Sequence, residues 1–114
     1  MGPFDDLRRI REFEKRELPF IRTIEDADIV REIGFHQKAS QPLTLKELFA
    51  LGIGSPATVQ RKLARLKALG VVQQTRVDRD RRSFALLLSP SVQKAYARYL
   101  SLLKTLSRRR RRRP

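Results

Sequence analysis

The sequence predicts a mainly α-helical fold carrying one small β-hairpin, and three observations lead there. Apolar residues recur at three- and four-residue spacing in several long segments. Two serine-proline pairs, Ser55-Pro56 and Ser89-Pro90, supply a cap hydroxyl followed by proline at the first helical position. Only residues 71–88 hold two β-compatible runs. A chain of 114 residues with 40% apolar and 7% aromatic side chains has room for one modest core of Leu, Ile, Val and Ala. The expected organisation is one domain over residues 1–107, followed by an arginine-rich tail over residues 108–114.

The elements follow in order. Phe4, Leu7, Ile10 and Phe13 mark an amphipathic helix over residues 4–17, which Pro19 stops. Thr23 and Asp26 resemble a capping box, and Ile24, Ala27, Val30 and Ile33 continue as the apolar face of a second helix. Thr44 and Glu47 form a cleaner capping box opening a short third helix that runs to about Leu51. Gly52-Ile53-Gly54 breaks it, because glycine accepts the positive-φ conformation of a helix end. Ser55-Pro56 starts a fourth helix, with Val59, Leu63, Leu66 and Leu69 on one face and Gly70 closing it. Val71–Val77 and Ser83–Leu88 then read as strands around the tip Asp78-Arg79-Asp80-Arg81-Arg82. A closing helix over residues 90–107 carries the stripe Val92, Tyr96, Tyr99, Leu103 and Leu106.

Charge is spread unevenly along the chain. The net charge is +14, yet residues 1–40 hold eight bases and nine acids, whereas residues 41–114 hold eighteen bases and three acids. Without the run Arg108–Arg113, the second part still has twelve bases against the same three acids. Such a bias points to a polyanionic partner; a solvated surface kept for solubility is the plainer alternative.

Several chemistries have no residues to carry them. Without cysteine there is no disulfide, thiolate zinc site or cysteine nucleophile, and His36 alone builds no metal cage. No metal and no cofactor are expected. The pairs Asp5/Asp6, Asp26/Asp28 and Asp78/Asp80 sit in segments that the helix and turn readings already explain, and Tyr96 and Tyr99 lie in an apolar stripe without a constellation of bases around them. No enzymatic activity is expected. No segment approaches the roughly 18 apolar residues of a membrane span, and the N-terminus has neither a basic nor an apolar signal region. The expected setting is the bacterial cytoplasm, in association with the nucleoid.

Helix, glycine turn, helix with a basic polar face and hairpin with a basic tip follow the order of a winged helix-turn-helix, with the helix-turn-helix over residues 44–69 and the wing over residues 71–88. Helices 4–17 and 90–107 flank it. An α-helix fits the major groove of B-DNA and not the deep, narrow groove of A-form RNA, which favours duplex DNA as partner. Ser55, Thr58, Gln60, Arg61, Lys62 and Arg65 are the candidate contacts on the reading helix. Gln60 suits adenine and Arg61 guanine, each pair worth about 1–3 kcal/mol of discrimination, while Lys62 and Arg65 suit phosphate. Arg79, Arg81 and Arg82 suit a narrow minor groove, where negative potential concentrates. For any one of these side chains, simple solvation or a surface ion pair is the alternative.

Ser55-Pro56-Ala57-Thr58-Val59-Gln60-Arg61 through Leu66, Leu69-Gly70-Val71-Val72, Asp78-Arg79-Asp80-Arg81-Arg82 and Leu86-Leu87-Leu88-Ser89 resemble the MarR-type winged-helix transcription regulators over about residues 42–90. The resemblance implies a reading helix in the major groove (Thr58, Gln60, Arg61, Arg65), a wing in the minor groove (Arg79 or Arg81) and a two-fold dimer built from terminal helices. This chain has Ser89-Pro90-Ser91-Val92 where that family usually has a glycine after the wing, and no second helix is expected in the residues after the closing helix 90–107. The resulting expectation is sequence-specific binding of double-stranded DNA by a transcriptional regulator. An architectural or nucleoid DNA binder and a winged-helix protein-interaction module are the alternatives. A homodimer is expected through Phe4, Leu7, Ile10, Tyr96, Tyr99, Leu103 and Leu106. Arg108, Arg109, Arg110, Arg111, Arg112 and Arg113 are expected to form a disordered tail gripping phosphates without sequence preference.

Overall fold

A computed structural model describes residues 2–76 and 84–111. Its elements run α1 (Pro3–Glu17), α2 (Ile24–Lys38), α3 (Leu45–Ala50), α4 (Pro56–Ala68), β1 (Val72–Arg76), β2 (Phe84–Leu88) and α5 (Pro90–Arg111). The chain divides into two compact units, Phe20–Pro90 and the pair of terminal segments Met1–Pro19 with Ser91–Pro114.

The unit Phe20–Pro90 holds α2, α3, α4 and the hairpin. Its helix starts are those that the caps predict. Thr23 Oγ1 accepts from the Asp26 amide at 3.2 Å, and Asp26 Oδ2 accepts from the Thr23 amide at 3.0 Å. At α3, the Glu47 amide donates to Thr44 Oγ1 at 3.2 Å and the Thr44 amide to Glu47 Oε1 at 2.9 Å. Strands β1 and β2 pair antiparallel from Val72↔Leu88 to Arg76↔Phe84. A bridge from Thr44 to Ala85, with the Leu86 amide donating to the Leu43 carbonyl at 2.8 Å, lays the chain before α3 along the other edge of β2. The buried apolar side chains are Phe20 before α2, Ile29, Val30 and Ile33 of α2, Leu43, Leu48 of α3, Val59, Leu63 and Leu66 of α4, and Val71, Val72, Ala85, Leu86 and Leu88 around the hairpin.

Two apolar faces differ from expectation: Leu69, placed on the apolar face of α4, is exposed just past the helix end, and α2 is turned. Ile24 is 77% exposed, and the buried positions of α2 are Asp26, Ile29, Val30 and Ile33. The helix is rotated so that an aspartate occupies a core position, which hydrophobic periodicity alone does not anticipate.

In the terminal unit, Phe13 stacks on Tyr99 with ring centroids 5.4 Å apart and planes 10° off parallel. The Arg98 guanidinium donates to Glu17 Oε1 at 2.7 and 3.0 Å. Helix α5 continues through Arg111, four residues beyond the end at Ser107 that the sequence suggests. Arg108–Arg111, expected in the tail, have helical backbone. Arginine is a good helix former, and cations are favoured at the negative end of the helix dipole. Arg112 and Arg113 lie outside the described residues.

Candidate nucleic-acid interface

Helix α3, the turn Leu51–Ser55 and α4 form the helix-turn-helix. Gly52 adopts φ +71°, and the turn needs glycine there because an L side chain is strained in that region. Ser55 then caps α4, its Oγ accepting from the Thr58 amide at 3.2 Å and its hydroxyl donating to Thr58 Oγ1 at 2.9 Å. The far end closes in a Schellman arrangement: the Gly70 amide donates to the Lys67 carbonyl at 3.0 Å and the Val71 amide to the Leu66 carbonyl at 2.9 Å, with Gly70 at φ +77°. These ends fix which residues of α4 are turned outward.

Val59, Leu63 and Leu66 are buried, and Ala57, Gln60, Arg61, Ala64 and Ala68 form the exposed stripe at helical spacing. Gln60 and Arg61 have no side-chain hydrogen bond or ion pair within the described residues. A bidentate amide and a guanidinium thus stand side by side between small alanines, whose methyl groups permit close approach and suit contact with a thymine methyl.

Lys62 and Arg65, expected to grip phosphate, are engaged elsewhere. Lys62 Nζ donates to Thr23 Oγ1 at 2.9 Å and lies 3.9 Å from Asp26 Oδ1; Arg65 Nη1 donates to the Phe20 carbonyl at 3.0 Å and lies 3.8 Å from Asp26 Oδ2. Both point back to the start of α2, drawn there by a carboxylate that is only 1% exposed. Lys67 Nζ donates to Gln74 Oε1 at 2.6 Å, joining the last turn of α4 to β1. At the base of the hairpin the Arg76 guanidinium lies 5.6 Å from the centre of the Phe84 ring, a cation–π contact that orders both side chains. Arg79, Arg81 and Arg82 lie outside the described residues.

The residues expected at a dimer interface divide by burial. Phe4 is 81% exposed and Leu7 is exposed; Ile10, Tyr96 and Leu103 are half-buried; Tyr99 and Leu106 are buried within the chain. Tyr99 is occupied by Phe13 and by Glu14, whose Oε2 accepts its hydroxyl proton at 2.6 Å. Tyr99 and Leu106 thus present little surface in the single chain.

No protein-family model and no curated protein matches the sequence. Solved structures do match. The DNA complex of Staphylococcus aureus MepR aligns with a TM-score of 0.70 at 17% identity, over 91% of this chain and 83% of that one. The chain has the MarR-type winged-helix fold. The transcriptional regulator Tm0710 from Thermotoga maritima agrees with a TM-score of 0.67 at 22% identity, over 94% and 77% of the two chains. MarR itself gives 0.58 at 20% identity, over 91% and 77%. In this MarR-type winged helix, α3 and α4 are the helix-turn-helix and β1 and β2 the wing, as the motifs along residues 42–90 imply.

Proposed function

We propose that the protein binds double-stranded DNA sequence-specifically and acts as a transcriptional regulator. The observation that supports this most is the outward pair Gln60 and Arg61, unpartnered on a helix whose both ends are pinned, in a fold that MepR presents in a complex with DNA. In this reading α4 enters the major groove, the Thr58 hydroxyl, which accepts from Ser55, is offered to the phosphates near its start, and Gln60 and Arg61 read base edges. The wing reaches the minor groove with Arg79, Arg81 or Arg82. The exposed Arg108 and Arg109 and the remainder of the arginine run add affinity for any duplex by releasing counterions. The role is one of binding and not of catalysis, exercised at the chromosome in the cytoplasm. Among the described residues no helix is long and apolar enough to cross a membrane.

A homodimer belongs to the same reading, with exposed Phe4 and Leu7 and half-buried Ile10, Tyr96 and Leu103 as the side chains available to a second copy. A two-fold assembly places its half-sites about one helical turn, ~10 bp, or a multiple apart. Selection from a random duplex pool tests the whole proposal. A regulator enriches a two-fold symmetric sequence bound about a thousandfold or more better than bulk DNA. A flat profile would instead mean an architectural binder, and no enrichment with no duplex binding would leave a protein-interaction module.

A further inference from the structure

Asp26 is the most deeply buried charged side chain among the described residues, and its surroundings are unusual for a helix cap. Oδ2 accepts from the Arg22 and Thr23 amides, both at 3.0 Å, which completes the cap. Oδ1 is buried without a hydrogen-bond partner and faces Lys62 Nζ at 3.9 Å. Arg65 approaches from the next turn of α4 at 3.8 Å from Oδ2. A carboxylate in the interior is costly unless cations accompany it, so the charge of Asp26 and the two cations of α4 hold one another in place. Lys62 and Arg65 are three apart on α4, and Arg61 and Ala64 immediately precede them on the outward stripe. With Val59, Leu63 and Leu66 buried, the pair Lys62 and Arg65 lies at the border of the outward stripe, within reach of Asp26.

We infer that Asp26 is a specificity-determining positioning residue: it withdraws Lys62 and Arg65 from the DNA-facing surface and thereby leaves base-reading side chains, and not phosphate-gripping cations, on the outward face of α4. This rests on the DNA-binding reading above. Two free cations beside the reading stripe would strengthen attachment to any duplex, because each phosphate neutralised releases counterion whatever the sequence. Held by Asp26, they contribute to the fold and not to non-specific affinity. The selectivity of the helix is thus raised by a residue that lies on another helix and touches no base.

The test is fluorescence anisotropy on a random-sequence 20-bp duplex across a salt series, using the full chain, with circular dichroism confirming the fold. Arg61→Gln, an exposed cation, is expected to lower the log–log salt slope by about 0.9. Lys62→Gln and Arg65→Gln are expected to leave the slope where it is. Asp26→Asn keeps an oxygen for the two amides and loses the charge; it is expected to steepen the slope by up to about 1.8 and to raise random-duplex affinity several-fold at low salt. A drop in slope for Lys62→Gln or Arg65→Gln matching that of Arg61→Gln overturns the inference, as does a folded Asp26→Asn protein with an unchanged slope. If Asp26→Asn does not fold, the two glutamine variants decide. A wild-type protein that binds no duplex would overturn the DNA-binding reading itself, a result distinct from all of these.

Discussion

The Tyr99 hydroxyl donates to Glu14 Oε2 at 2.6 Å while the tyrosine ring stacks on Phe13, so one side chain of α5 holds α1 by a polar and an apolar contact at once. Tyr99→Phe keeps the stack and removes only the hydroxyl. A hydrogen bond to a charged, partly buried acceptor is worth about 1–3 kcal/mol, so thermal unfolding is expected to shift down by several degrees. Circular dichroism melts of the two proteins check this, with Phe13→Ala expected to cost more because it leaves a cavity.

Glu47 gives a prediction in pH. Accepting from the Thr44 backbone and side chain holds its carboxyl below the ordinary value of 4.5. A group whose pKa falls on folding stabilises the folded state above its unfolded value and loses that contribution as pH falls through the folded one. Wild type is therefore expected to exceed Glu47→Gln in urea midpoint at neutral pH, and the difference is expected to shrink from about pH 4.5 downward and to vanish in stronger acid. A difference independent of pH would mean that the charge contributes nothing to the cap.

Gly70→Ala isolates backbone strain. An added Cβ meets nothing within 4 Å, yet φ is +77°. The substitution is expected to cost about 1–2 kcal/mol with no packing change, whereas Gly70→Asn, which tolerates the left-handed region better, is expected to cost less. Denaturant melts of the pair distinguish strain from crowding.

Arg61→Ala is expected to cost about 1–3 kcal/mol on the best duplex and to relax selectivity at one base position. Arg79→Ala and Arg81→Ala are expected to weaken binding in a manner graded by A·T content beside the central site. Anisotropy on the selected and scrambled duplexes measures both. Equal losses on the two for Arg61→Ala would remove it from the reading face.

Local signals carried most of the fold into the sequence. Thr44 with Glu47, Ser55 before Pro56, and glycines at 52 and 70 each act within a few residues, and each produced the helix end that it foretold. Long-range choices were not legible. Lys62 and Arg65 look like any basic face until the aspartate some forty residues earlier is placed beside them, and Asp26 looked like a cap because it is one. Periodicity turns Ile24 inward because it rewards apolar residues and has no means of preferring a buried acid.

The segment Leu43–Thr44 and strand β1 occupy opposite edges of β2, which leaves β2 as the inner strand of a three-stretch ladder. Opening of β2 requires both neighbours to part, whereas β1 carries an outer edge with exposed Gln73, Thr75 and Arg76. Amide protons of β2 should accordingly be among the slowest in this unit to exchange with deuterium, and those on the outer side of β1 should exchange well before them.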